Sequence, residues 1–246
     1  MLPIRDHNPS GRTPYVVYAL MALNTGIFLT YIGQPEQQVL RDVFLHWALI
    51  PARISQGSGF ETLLTSTFLH GGLMHLAGNM LFLWIFGDNL EDEMGHVRFL
   101  LFYLACGIGS GVIHFLAAPG SPVPTVGASG AIAGVMGAYL LLFPRARVDI
   151  LIILVIFVRI LAIPAWLMLG LWLGMQFLGG LSADPNGGGV AYWAHAGGFA
   201  VGIVLAVPLW LRLGGPRFWG RTHGQPPRPQ ARYKLSASHI PRVPRR

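Results

Sequence analysis

Charge is the scarcest property of this sequence. Asp, Glu, Lys and Arg make up only 11% of its 246 residues, under half of the roughly 25% found in soluble domains. That shortage, a mean hydropathy of +0.53 and several apolar runs of about 20 residues exclude an ordinary soluble domain and indicate a polytopic membrane protein. Acidic residues are fewest. All ten Asp and Glu fall in tails, loops or the ends of apolar runs, which excludes paired-aspartate chemistry inside the membrane. The one cysteine, Cys106, excludes an internal disulfide and a cysteine zinc site, and its place within an apolar run marks it as packing. Neither an H-E-x-x-H motif nor a carboxylate near His70, His75 and His195 is present to complete a catalytic zinc. No metal or cofactor is therefore expected. Clear internal repeats, which a transporter would more naturally show, are also missing. A net charge of +7 would suit a nucleic-acid partner, but nine of the seventeen Lys and Arg lie in residues 212–246, so no nucleic-acid partner is expected.

The apolar runs predict an all-α bundle of six spans, at about 14–32, 72–86, 98–117, 128–143, 161–179 and 192–213. Residues 1–13 are expected to be a polar tail without a cleavable signal. Residues 33–69 form a long first connection in which Val39, Leu40, Val43, Phe44 and Trp47 have the spacing of an amphipathic interfacial helix. Residues 148–160 are read as interfacial or dipping, because the apolar stretch 148–180 is too long for one span and is broken by Arg159 and Pro164. Residues 214–246, rich in Pro and Arg, are expected to be a disordered tail that orients the protein, with binding to anionic lipid as the alternative. Arg5, Arg12, Arg98, Arg145, Arg147 and this tail on one side, against Arg41 and Arg53 on the other, put both termini in the cytoplasm.

Polar groups inside spans are costly and mark function by default. His75 and Asn79 lie near the start of span two, Ser129 starts span four, and His195 lies near the start of span six. Even-numbered spans all run from outside to inside, so these four groups share one layer in the outer half of the membrane. Singly, each has a packing explanation: Ser129 stands in Gly127-Ala128-Ser129-Gly130, and Ser, Gly, His and Asn all serve helix interfaces. Together they suggest nucleophilic catalysis, with a serine hydroxyl activated by neutral imidazole and no buried aspartate. Ser129, Ala133 and Gly137 on one helix and His195, Gly198 and Gly202 on another form facing small-residue stripes that permit close approach. His75 and Asn79, four residues apart, share a face from which N–H groups could join the Ser129 amide around a developing oxyanion. His70 lies about 140° round the helix from His75 and is expected to frame the site.

The combination His70-Gly-Gly-Leu-Met-His75-Leu-Ala-Gly-Asn79, Gly127-Ala128-Ser129-Gly130 and Ala194-His195-Ala-Gly-Gly198 resembles the rhomboid intramembrane serine proteases. Trp47-Ala-Leu-Ile-Pro-Ala-Arg53 and Gly87-Asp-Asn-Leu-Glu91 extend the resemblance, which covers about residues 14–213 as a protease domain. It implies hydrolysis of peptide bonds in or near single-span transmembrane substrates through an acyl-enzyme. Ser129 would be the nucleophile and His195 the base; His75, Asn79 and the Ser129 amide would form the oxyanion hole. Gly127, Gly130 and Gly198 would support the site, Glu91 would be structural, and span five would border lateral substrate entry. A partly membrane-embedded first loop and a bacterial cytoplasmic membrane, with the site opening outward, are expected. The chain departs from some members at Ala133, where an aromatic ring would support the base. A non-catalytic relative that binds transmembrane helices is the alternative, and a transporter or channel is a third reading.

Overall fold

The computed structural model describes residues 2–225 except 9, 34–36, 155–156 and 185–187. Its centre is α7 (Ser129–Leu142), in which every residue from 130 to 139 is buried. A helix apolar all round belongs inside, and its Gly and Ala positions let neighbours approach on several sides. Around it stand α5 (Leu73–Met94), α6 (His96–Ala117), α8 (Ala165–Ser182) and α9 (Tyr192–Leu213), with α1 (Tyr15–Tyr31) outside α5. Among the described residues α6, α8 and α9 are long and apolar enough to cross a membrane. Thr62–Phe68 with α5 makes a fourth candidate, bent by 95°, while α1 and α7 are apolar but shorter.

The long first connection is structured. It contains α2 (Gln37–Trp47), α3 (Pro51–Ser55), α4 (Thr62–Thr65) and a 3-10 turn, Ser66–Phe68. Leu40, Val43 and Phe44 of α2 pack on a small core that includes Phe28, Tyr31, Leu69 and Leu76, while Arg41, Leu45, His46 and Trp47 stay exposed. The spacing thus forms a helix that turns Leu40, Val43 and Phe44 toward α1; Trp47, expected in the same stripe, is exposed, and the side chain of Val39 lies outside the described residues.

The all-α expectation needs correction, because the fold is mostly helical but includes a three-stranded antiparallel sheet. Residues 2–6, expected as tail, form β1 (Leu2–Asp6), which pairs with β2 (Arg147–Leu154); β2 pairs in turn with β3 (Phe157–Pro164). The stretch read as interfacial is therefore a pair of strands, and α8 starts four residues later than the expected span. Its Ile and Val content suits strands, but a continuous apolar run has no period that separates strand from helix. Asp149 fixes β1 on β2, accepting from Arg5 Nε at 2.8 Å and contacting His7 Nε2 at 2.8 Å. Beyond residue 213 the chain remains ordered as α10 (Pro216–Thr222). There Phe218 packs near Phe143, and Trp219 Nε1 donates to the Leu141 carbonyl at 2.9 Å. The expectation for residues 226–246 lies outside the described residues.

Acidic residues at the end of α5 hold the amino-terminal segment. Both Glu91 oxygens accept from the first amides of α1, Val16 N at 2.9 Å and Val17 N at 2.8 Å, and so cap that helix from a distant part of the chain. Asp6 lies beneath α7, accepting from Tyr139 Oη at 2.7 Å and Asn89 Nδ2 at 3.1 Å. Burial pushes its carboxyl up to about 7; the Tyr139 hydrogen bond opposes this rise and nearby Asp88 adds to it. A raised carboxyl favours the fold in its protonated form. Its contribution is complete below the unfolded value of 3.8 and is lost as pH rises through about 7. The melting temperature in detergent should therefore fall as pH is raised through that range, and Asp6→Asn should flatten the fall.

Candidate active site

The site begins at the contact of α7 with α9, the most extensive helix pair in the fold. A Cβ on Gly198 would strike the Gly130 carbonyl, and one on Gly202 would lie 2.5 Å from the Gly134 carbonyl carbon. The α7 face in the seam is thus Gly130, Gly134 and Gly137: the expected Gly137 lies in it, while Gly130 and Gly134 stand where Ser129 and Ala133 were expected. Ser129, about 100° round the helix from Gly130, is left at the edge of the seam. There its hydroxyl reaches both the neighbouring helix and a cavity of about 530 Å³. Ser110 of α6 fixes the start of α9 by donating to the Ala194 carbonyl at 2.7 Å.

Ser129 Oγ and His195 Nε2 are 2.7 Å apart. His195 Nδ1 lies 2.8 Å from Oε1 of Gln176, a residue of α8 that the sequence reasoning missed. Trp172, one turn earlier on α8, places its ring 5.8 Å from the imidazole at a 31° tilt. The support expected to be missing at Ala133 is therefore supplied from α8. A polar residue in an otherwise apolar span was the available signal for Gln176.

His75 and Asn79 line the same cavity as Ser129 and His195. The Gly71 backbone N–H points at His75 Nδ1 at 3.3 Å. Since that N–H can only donate, the ring proton belongs on Nε2, the edge nearer Gly127 and Ser129. Asn79 Nδ2 donates one hydrogen to the His75 carbonyl at 3.0 Å and keeps a second for the cavity. Gly127 has φ +133°, and a Cβ there would come within 2.8 Å of the His75 ring. The Ser129 amide opens α7, so it has no intrahelical acceptor. His70 does not line this cavity. It is fully buried, its ring 5.2 Å from that of His75, and its backbone N–H and carbonyl both bond to Tyr31 Oη, at 2.7 and 2.9 Å.

A hydroxyl bonded to imidazole, beside three N–H donors left without an acceptor among the described residues, is an arrangement able to activate an oxygen nucleophile and stabilise an oxyanion. Among the described residues no group of three or more His, Cys, Asp or Glu could hold a metal ion. The Rhomboid domain model matches residues 58–212, and the chain belongs to the rhomboid family. Rhomboid protease GluP of Bacillus subtilis is 48% identical over 87 residues, 35% of this chain and 16% of that protein. Rhomboid protein 1, mitochondrial, of Saccharomyces cerevisiae is 29% identical over 199 residues, 77% of this chain and 51% of that one. The human Presenilin-associated rhomboid-like protein, mitochondrial, is 36% identical over 91 residues, 36% of this chain and 24% of that one. The chain thus spans at most about half the length of these relatives. Family and apolar helices together make it an integral membrane protein.

Proposed function

We propose that this chain is an intramembrane serine endopeptidase cutting peptide bonds in or near the membrane segment of single-span proteins. The observation that carries the reading is the 2.7 Å contact between Ser129 Oγ and His195 Nε2 beside a cavity that His75 and Asn79 also line. Ser129 Oγ attacks the substrate carbonyl carbon while His195 takes its proton. His75 Nε2–H, Asn79 Nδ2–H and the Ser129 amide hold the resulting oxyanion. The C–N bond breaks, the amine leaves with the proton from His195, and an acyl-enzyme remains. Water, deprotonated by His195, then attacks the ester carbonyl and releases the carboxylate product and free Ser129.

In this reading α1, α5, α6, α7, α8 and α9 are six spans, with both termini cytoplasmic and the site in the outer half of the membrane, where water reaches it from outside. Residues 14–213 are the protease unit, and the sheet and α10 brace its cytoplasmic side. Membrane lipid surrounds the bundle, and substrate enters between α5 and α8, the helices that contribute Phe82 and Trp172 to the cavity. The test is incubation of purified protein in liposomes with a single-span substrate, with product masses determined. The reading requires products cut within or beside the apolar segment. An intact substrate that co-purifies with the protein would favour the helix-binding alternative.

A further inference from the structure

Gln176 is 7% exposed in a helix whose other residues up to Leu181 are all apolar or glycine, a costly place for an amide that has only a structural part to play. Its contacts define its orientation. Nε2 lies 3.2 Å from the Trp172 carbonyl, which can only accept, so this end of the amide carries the NH2 group. Oε1 therefore faces His195 Nδ1 at 2.8 Å. An amide oxygen cannot donate, so Nδ1 holds the imidazole proton. Nε2 is left with its lone pair toward Ser129 Oγ at 2.7 Å, the tautomer that can take the hydroxyl proton. The opposite tautomer would aim an N–H at Oγ and set two acceptors, Nδ1 and Oε1, against each other.

Building on the protease reading, we propose that Gln176 is the positioning residue of the base, a neutral third member that sets the tautomer of His195 and the direction of its ring. It orients the imidazole without placing a carboxylate in the membrane interior, where an ionised group is costly. Trp172 closes the open face of the same ring, so both supports of the base come from α8. The nucleophile, by contrast, is carried on α7. The base is thus held in register only while α8 is packed against α9. A substrate helix that pushes α8 aside would loosen His195 before it reached Ser129.

The experiment compares wild type, Gln176→Met and Gln176→Glu by 15N spectroscopy of the His195 imidazole at alkaline pH and by pH-resolved kcat and KM on a single-span substrate. Wild type is expected to show the Nδ1–H tautomer alone. Gln176→Met, which keeps length and removes the acceptor, should show a mixed population and a kcat lower by about 10–100-fold with KM little changed. Gln176→Glu keeps an acceptor and should retain the tautomer and most of the alkaline kcat. Its carboxylate favours imidazolium, so the acid limb of its kcat/KM profile should move to higher pH. An unchanged tautomer in Gln176→Met, or kcat losses of equal size in both variants with an unmoved acid limb, would overturn the proposal. Should Gln176→Met not fold, the Gln176→Glu profile and tautomer decide alone. A wild type that cleaves nothing removes the protease reading, while the tautomer comparison still decides what Gln176 does.

Discussion

Ser129→Ala and His195→Ala are each expected to remove cleavage of a single-span substrate by about 10⁴-fold or more, and the double variant to be no worse than either alone. The expectation follows from the way the two groups act. A serine hydroxyl is a weak nucleophile until a base takes its proton, and the imidazole at 2.7 Å has no other proton to take. Removing either partner ends the same step, so the losses do not add. Both variants should stay folded, since Ser129 stands at the edge of the α7–α9 seam and His195 borders the cavity. Their melting temperatures in detergent should remain close to that of wild type. The measurement is initial cleavage rate in liposomes at matched protein, with the melts alongside. Near-wild-type rates in either variant would mean that another group carries the chemistry.

Gly202→Val is expected to have the largest effect on the fold. The atoms a side chain at 202 would meet are backbone, the Gly134 carbonyl carbon at 2.5 Å among them, and backbone in a helix cannot swing away as a flexible side chain can. The helices must separate. Helix pairs in lipid gain little from the hydrophobic effect and depend on close packing, so a lost seam has no compensating burial. Overpacking typically costs about 1–3 kcal/mol, and a clash between two backbones belongs at or beyond the upper end. Gly202→Ala is the informative milder variant. If it folds, spreading α7 from α9 also lengthens the Ser129–His195 contact, and a displacement of about 1 Å can cost on the order of 10²-fold in rate. Melting temperature and kcat of both variants, set beside those of Gly170→Ala, where a Cβ meets nothing within 4 Å, separate the seam from a general effect of glycine replacement.

The parts legible in sequence were those whose signal is local. Spans α6 and α9 match the expected 98–117 and 192–213 to within two residues, because long apolar runs bounded by charge or glycine define helices without reference to their neighbours. The sheet was hidden for the opposite reason. β1 is five residues long and acquires meaning only by pairing with β2, some 145 residues away. β2 alternates only over Arg147-Val148-Asp149-Ile150 before turning continuously apolar, and β3 carries a single charge, Arg159, too little to mark a period. Four polar residues of the candidate site were gathered by expected depth alone, and His75, Asn79, Ser129 and His195 do line one cavity. Depth does not give rotation about a helix axis, which is why Gly130 and Gly134, in place of Ser129 and Ala133, lie in the seam with the expected Gly137. Gln176 escaped for the same reason. Its span was recognised, but its direction toward His195 depends on how α8 is turned against α9.

Reaction with a fluorophosphonate probe, followed by peptide mass mapping, tests the central claim most directly, because it asks whether Ser129 is chemically activated and needs no substrate. Wild type should carry the adduct on Ser129, and His195→Ala, folded by its melting temperature, should carry none. Equal labelling of Ser129 in both proteins would contradict activation by His195, and a wild type that never labels at Ser129 would contradict the nucleophile itself.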